Sequence, residues 1–182
     1  MKSFGGHLLI ASPYLSDRNF FRSVVLIVSH DEKHAFGLLL NRPGHDRLGT
    51  VWEKLTGEPC EQIEPIRSGG PLEGPLMMIH QRIEFSDKQV IPGVYLSTAD
   101  ESVASLVATN CRSLIAVTGY SGWVAGQLET ELKIGGWMSM MATEELIFAD
   151  PNEQWKIAAR QISDGILGPV HMQHAPKDPS WN

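Results

Sequence analysis

Residues 119–132 read Gly-Tyr-Ser-Gly-Trp-Val-Ala-Gly-Gln-Leu-Glu-Thr-Glu-Leu, and this stretch restricts the fold more than any other in the chain. Ahead of it, residues 113–118 form an apolar, β-branched run of strand length; behind it, apolar residues recur at helical spacing. The pattern predicts a buried strand joined by a tight glycine-rich turn to a helix, whose first N–H groups lack internal partners. Gly119, Gly122 and Gly126 permit positive φ or close approach by another group. On the helix, Val124, Leu128 and Leu132 make an apolar line for the core, and Glu129 with Lys133 makes an exposed pair. That leaves Trp123, Gln127 and Glu131 to border any cleft alongside.

Taking the chain in order, strands are expected at residues 8–11, 24–28, 35–40, 76–80, 94–97, 113–118 and 137–141. Residues 30–34 are a polar turn that makes a hairpin of the second and third. A short helix at 50–55 has Thr50 as its N-cap and Gly57 beyond its end. Residues 58–74, interrupted by Pro59, Pro65, Gly69-Gly70-Pro71 and Gly74, read mostly as loop; the polar segment 81–89 leaves room for a hairpin without fixing it. Thr98-Ala99-Asp100-Glu101 matches a capping box and opens a helix that ends near Asn110. Asp150-Pro151-Asn152-Glu153 opens the last one, which buries Trp155, Ala158, Ala159 and Ile162 and stops at Gly165. Early hairpins with later interspersed helices imply an α+β fold with a mixed sheet. With 182 residues, the chain suits one globular domain over 1–168, followed by a flexible C-terminal tail over 169–182.

The formal net charge is -6 and the basic residues are scattered, which argues against direct, non-specific nucleic-acid binding. Cys60 and Cys111 are the only cysteines and form no CxxC pair, so neither a disulfide framework nor a zinc ribbon is expected. No apolar run approaches membrane-spanning length, and a cytoplasmic location follows as the expectation.

Four ordered motifs extend across the chain: Gly6-x-Leu8-Leu9-Ile10-Ala11 with Pro13, Asp17 and Phe20; Gly37-Leu38-Leu39-Leu40-Asn41-Arg42-Pro43; Gly69-Gly70-Pro71; and the long motif at 119–132. Together they resemble the AlgH/YqgE family of bacterial proteins, from Gly6 to about Gly165. The resemblance implies an α+β fold whose sheet is strongly curved and barrel-like, with helices packed around it. It also implies a bacterial cytosolic protein of unestablished biochemical activity; the family carries the label of transcriptional regulator after one member's link to alginate production. This chain departs from the family pattern at Val124-Ala125, usually a small or prolyl pair, and at Leu72, commonly valine. The family has no assigned catalytic residues to carry over.

The motifs suggest a cleft where the Asn41-Arg42-Pro43 turn, the Gly69-Gly70-Pro71 loop and the 119–127 turn meet. Arg42 would hold a carboxylate or phosphate bidentately, Asn41 and Gln127 would orient a ligand, and Trp123 would supply a flat wall. Gly69, Gly70, Tyr120, Gly122, Gly126 and Glu131 complete the lining. The structural reading of the same residues is that the glycines permit turns, Arg42 pairs with Glu129 or Glu131, and Trp123 fills the core. Gly119-x-Ser121-Gly122-Trp123 narrowly misses a nucleophile elbow, because Trp123 stands where a small residue is needed and only His171 or His174 could serve it. Rossmann and P-loop fingerprints are absent, so no cofactor is expected. His30 with His34, and His171 with His174, are too few ligands for a metal. The function that follows is a non-enzymatic binding or regulatory protein whose cleft takes a protein, peptide or small-molecule partner, with any effect on transcription indirect. The alternative is a small hydrolase or transferase for an anionic substrate, with Arg42 as anion clamp and Glu129 or Glu131 as acid or base.

Overall fold

Leu8, Leu9, Ile10 and Ala11 are all fully buried, which explains why this run shows no polar alternation. Leu8 and Ile10 enter one core cluster with Leu26, Leu38 and Ile79, whereas Leu9 and Ala11 enter another with Val25, Trp123 and Trp137. The sheet is therefore covered on both faces. The structure, a computed structural model, describes residues 3–171 except Ser16, Asn110 and Arg112. The proposed tail from 172 onward, with His174, Pro176 and Pro179, lies outside the described residues, as does the expected helix end at Asn110.

Ten strands are described: β1 (His7–Ala11), β2 (Val24–His30), β3 (His34–Leu39), β4 (Pro43–Arg47), β5 (Pro65–Ser68), β6 (Leu72–His80), β7 (Lys88–Ile91), β8 (Val94–Ser97), β9 (Leu114–Val124) and β10 (Trp137–Met141). The helices are α1 (Leu48–Thr56), α2 (Asp100–Ala108), α3 (Gln127–Lys133), α4 (Glu144–Ile147) and α5 (Gln154–His171). The main path runs β10-β1-β2-β3-β9-β6-β8-β7, antiparallel throughout, with β4 and β5 off it. β5 pairs parallel with β9, which makes the sheet mixed. The fold is α+β with a curled, half-barrel sheet, as the family resemblance implied.

The long motif is built differently from its sequence expectation. β9 does not stop at Thr118 but continues to Val124, and its two halves have different neighbours. Residues 114–118 lie between β6 and β5, whereas Ser121–Val124 pair with β3. Gly119 is the bend between them: its φ is +73°, and a Cβ there would meet the Leu72 carbonyl oxygen at 2.7 Å. The tight turn into α3 is only Ala125-Gly126, with Gly126 left-handed at φ +72°. The strand outlasts its apolar run because its second half alternates, burying Ser121 and Trp123 while Gly122 and Val124 face outward. Val124 is accordingly exposed and does not join Leu128 and the half-buried Leu132 in the core.

Other boundaries shift for identifiable reasons. Pro43, expected in a turn, opens β4, and residues 65–68, expected as loop, form β5; the two strands pair, although β4 is wholly exposed and carries no apolar signal. Helix α1 begins at Leu48, two residues before the proposed Thr50 cap, and has no side-chain N-cap; Gly57 ends it in the left-handed conformation. The Thr98 box does not form. Instead the Asp87 carboxylate accepts from the Thr98 and Ala99 N–H groups at 2.6 and 2.7 Å and from Ser102 Oγ at 2.9 Å. The 81–89 segment supplies a short 3-10 turn and the start of β7, which forms a hairpin with β8. Asp150 bonds the Asn152 N–H, and α5 starts only at Gln154. α5 also passes through Gly165, because that glycine does not take the left-handed conformation that would end it. The helix is anchored by Trp155, whose indole donates to the Ala11 carbonyl at 2.9 Å.

Candidate functional site

Helix α3 begins directly after the left-handed Gly126, so Gln127 and Glu131 rise side by side one turn apart. Gln127 Oε1 accepts from the Val124 N–H at 3.1 Å, and its Nε2 donates to Glu131 Oε1 at 2.9 Å. The other Glu131 oxygen accepts from two indoles, Trp123 Nε1 at 2.9 Å and Trp137 Nε1 at 2.8 Å. The two indoles, 5% and 3% exposed, meet edge to face at 6.3 Å, and Phe20 packs on Trp137 at 5.2 Å. Above this aromatic floor lies a cleft of about 430 Å³ between the 15–20 segment, Pro71-Leu72 and α3. Leu72 and Ile134, 44% and 76% exposed, stand at its mouth.

A second recess, of about 310 Å³, adjoins the first; Asn19 and Pro71 line both. Its cationic wall is Arg18 and Arg42, with Ser68 and Gly70 opposite. The Arg42 guanidinium donates to the Asn41 carbonyl at 3.1 Å and to the Phe21 carbonyl. Burial lowers its pKa from the ordinary arginine value, as expected for a charge drawn partly out of water. Arg67 lies behind it, also lowered by burial despite the opposing pull of Glu64 and Asp150, and donates to the Leu40 carbonyl.

The geometry thus brings Arg42 and Gly70 to one recess and Gly122, Trp123, Gln127 and Glu131 to the adjoining cleft. The remaining proposed residues do other work. Asn41 touches a third recess of about 200 Å³, but its Oδ1 accepts from the Val24 N–H and its Nδ2 donates to the Arg22 carbonyl. Both ends of that amide are therefore engaged by the backbone. Gly69 is a crossing point: its carbonyl receives the Leu39 N–H and Ser121 Oγ, and its N–H donates to Thr118. Tyr120 packs its ring on Phe36 in the main core, and Gly126 is a helix cap with open space around it.

Neither expected ion pair forms at Arg42, because Glu131 is engaged by the indoles and Glu129 faces His30. His30 Nδ1 accepts from the Phe4 N–H at 3.0 Å, so the ring proton sits on Nε2, 2.9 Å from Glu129 Oε1. Glu129 therefore turns away from Lys133. Ser121 is fully buried within a strand and is no elbow nucleophile. Among the described residues no three His, Cys, Asp or Glu side chains converge as metal ligands, and no helix is long and apolar enough to cross a membrane.

Sequence reasoning passed over Arg18, Asn19, Ile134 and Trp137. The signal was the Arg18-Asn19-Phe20-Phe21-Arg22 run, cationic and aromatic within an acidic chain. It also passed over a mostly apolar groove of about 470 Å³ between α1 and α2, floored by Trp52, Leu76 and Val103 and rimmed by Glu58 and Asp100.

A family model described as AlgH-like matches residues 8–166. A UPF0301 protein of Stenotrophomonas maltophilia is 38% identical over 168 residues, covering 88% of this chain and 89% of the relative. One from Xanthomonas oryzae is 39% identical over 165 residues, covering 85% and 87%. The solution structure of the AlgH protein from Pseudomonas aeruginosa aligns with a TM-score of 0.73 at 27% identity, over 98% of this chain and 97% of that one. A crystal structure of a Corynebacterium diphtheriae protein aligns with a TM-score of 0.70 at 20% identity, over 88% and 87%, and bears on the fold alone.

Proposed function

The chain belongs to the AlgH-like family, and from that premise we propose that it is a non-enzymatic binding protein with a regulatory role. It acts in the cytoplasm by receiving a protein, peptide or small-molecule partner in the adjoining clefts beside Trp123 and Arg42. The observation that carries this reading is the engagement of Glu131: three N–H donors converge on its carboxylate. A carboxylate so used fixes the orientation of an aromatic wall before any ligand arrives, which lowers the entropic cost of binding. It is poorly placed to exchange protons with a substrate. The hydrolase or transferase alternative needs Glu129 or Glu131 as acid or base, and each already faces a donor of its own. Any effect on transcription would pass through the partner, because a chain of net charge -6 with scattered basic residues is poorly suited to a duplex.

The test is affinity capture from a bacterial extract with wild type, Leu72→Arg at the cleft mouth, and Lys88→Ala on the distant strand β7. The expected result is a polypeptide or metabolite retained by wild type and Lys88→Ala and lost from Leu72→Arg. Identical recoveries from all three proteins would overturn the reading.

A further inference from the structure

Arg18 and Arg42 line one recess and Arg22 joins Arg42 at another, in a chain of net charge -6. None of the three has a carboxylate within ion-pair distance among the described residues. The nearby acid, Asp17, is occupied in accepting the Asn19 N–H at 2.8 Å. Arg22 lies over the Phe21 and Trp155 rings at 5.1 and 5.4 Å, on the far side of Arg42 from Arg18. A guanidinium carries five N–H donors, and Arg42 uses two arms on the Asn41 and Phe21 carbonyls, so it is anchored yet keeps donors in reserve. Arg42 is held half out of water without a counter-ion, which strengthens its attraction for an anion, while Arg18 adds exposed charge beside it.

We infer that the Arg18–Arg42 recess is an anion subsite that takes the carboxylate of a ligand whose apolar part lies in the adjoining aromatic cleft. The inference rests on the cleft reading above and deepens it. Continuity through Asn19 and Pro71 links the two chemistries in one ligand. A carboxylate fits better than a phosphate, because no residue lining the recess belongs to a helix. The recess presents the Arg18 guanidinium and the remaining donors of Arg42, and lacks the helix N-terminal donors that commonly cradle a phosphate.

The probes are 3-phenylpropionate and N-acetyl-Leu-Phe as free acids, each beside its neutral amide, titrated while the indole N–H resonances of Trp123 and Trp137 are followed by NMR. Both acids are expected to shift those resonances, and the better acid to bind at least about tenfold more tightly than its amide. Arg18→Ala, at an exposed position, should reduce that acid to the affinity of its amide, leaving amide binding and the melting temperature unchanged. Whichever acid binds more tightly supports the subsite and tells a free small acid from a peptide terminus. Equal binding of acid and amide overturns the subsite while leaving the cleft reading standing, since the capture experiment does not depend on charge. An acid preference that survives both Arg18→Ala and Arg42→Lys, inorganic phosphate displacing the acid better than acetate, or indole resonances unmoved by every probe would each overturn it too.

Discussion

The Glu131 carboxylate accepts from three side-chain N–H donors, those of Gln127, Trp123 and Trp137. Its spacing from Gln127 placed it on the cleft border, where it stands. The sequence pattern could not reveal that Trp137, beyond the Gly135-Gly136 turn, would return its indole to the same oxygen. Replacing Glu131 with alanine leaves two buried indole N–H groups without an acceptor, and each such orphan costs about 1–3 kcal/mol. Glu131→Ala should therefore lose roughly 2–4 kcal/mol of stability in urea denaturation and broaden the tryptophan bands of the near-ultraviolet circular dichroism spectrum. Glu131→Gln, which keeps one carbonyl acceptor, should lose less. A cost for the alanine variant below about 0.5 kcal/mol, the range of ordinary surface changes, would show that the indoles are held by packing alone. Asn41 carries the opposite lesson: a polar residue in a turn motif read as a ligand contact, whereas both ends of its amide bind the backbone. Burial decides between such readings, and burial is a property of the assembled chain.

At the scale of elements, continuous apolar runs were legible because β1, β2 and the first half of β9 are covered on both faces. The second half of β9 was not. Its glycines and alternating burial mimic a turn, and only pairing to β3 makes a strand of them. The start of α2 failed in a different way: the local capping box was outcompeted by Asp87, eleven or more residues upstream. That carboxylate's pKa is lowered, first by the Ala99 and Thr98 N–H groups and then by Ser102 and Thr98 hydroxyls, with desolvation opposing. A carboxylate whose pKa is lower folded than unfolded stabilises the fold at pH values above its unfolded pKa of about 3.9, and that contribution fades as pH falls through the folded value. Asp87→Asn should thus be less stable than wild type by about 1 kcal/mol near neutral pH, the usual value of a helix cap. The gap should close as the pH is lowered past the carboxylate range, measured as paired denaturant midpoints. A gap that stays constant from neutral to acid pH would mean that the charge on Asp87 plays no part.

For the molecule as a whole, the decisive device is one strand shared by two halves of a curled sheet, and the proposed binding clefts lie where that strand changes neighbours. The clefts form at this seam because the Gly69-Gly70-Pro71 loop must cross β9 there, leaving space between the crossing and the 15–20 segment. Charge has the same two-scale character. The net of -6 describes the whole chain, yet Arg18, Arg42 and Arg22 line two neighbouring recesses without carboxylate partners among the described residues. That patch is large enough for one carboxylate but too small for a duplex, since sequence-independent binding draws on many phosphate contacts and three cations displace few counter-ions. The net negative charge adds repulsion that is screened over about 8 Å at physiological ionic strength. Purified protein at up to about 10 μM, within the range where non-specific binders act, should leave a labelled duplex unretarded at about 0.15 M salt. A retarded band at that salt that weakened in Arg18→Ala would reassign the arginine patch to nucleic acid and remove the argument that regulation passes through a partner.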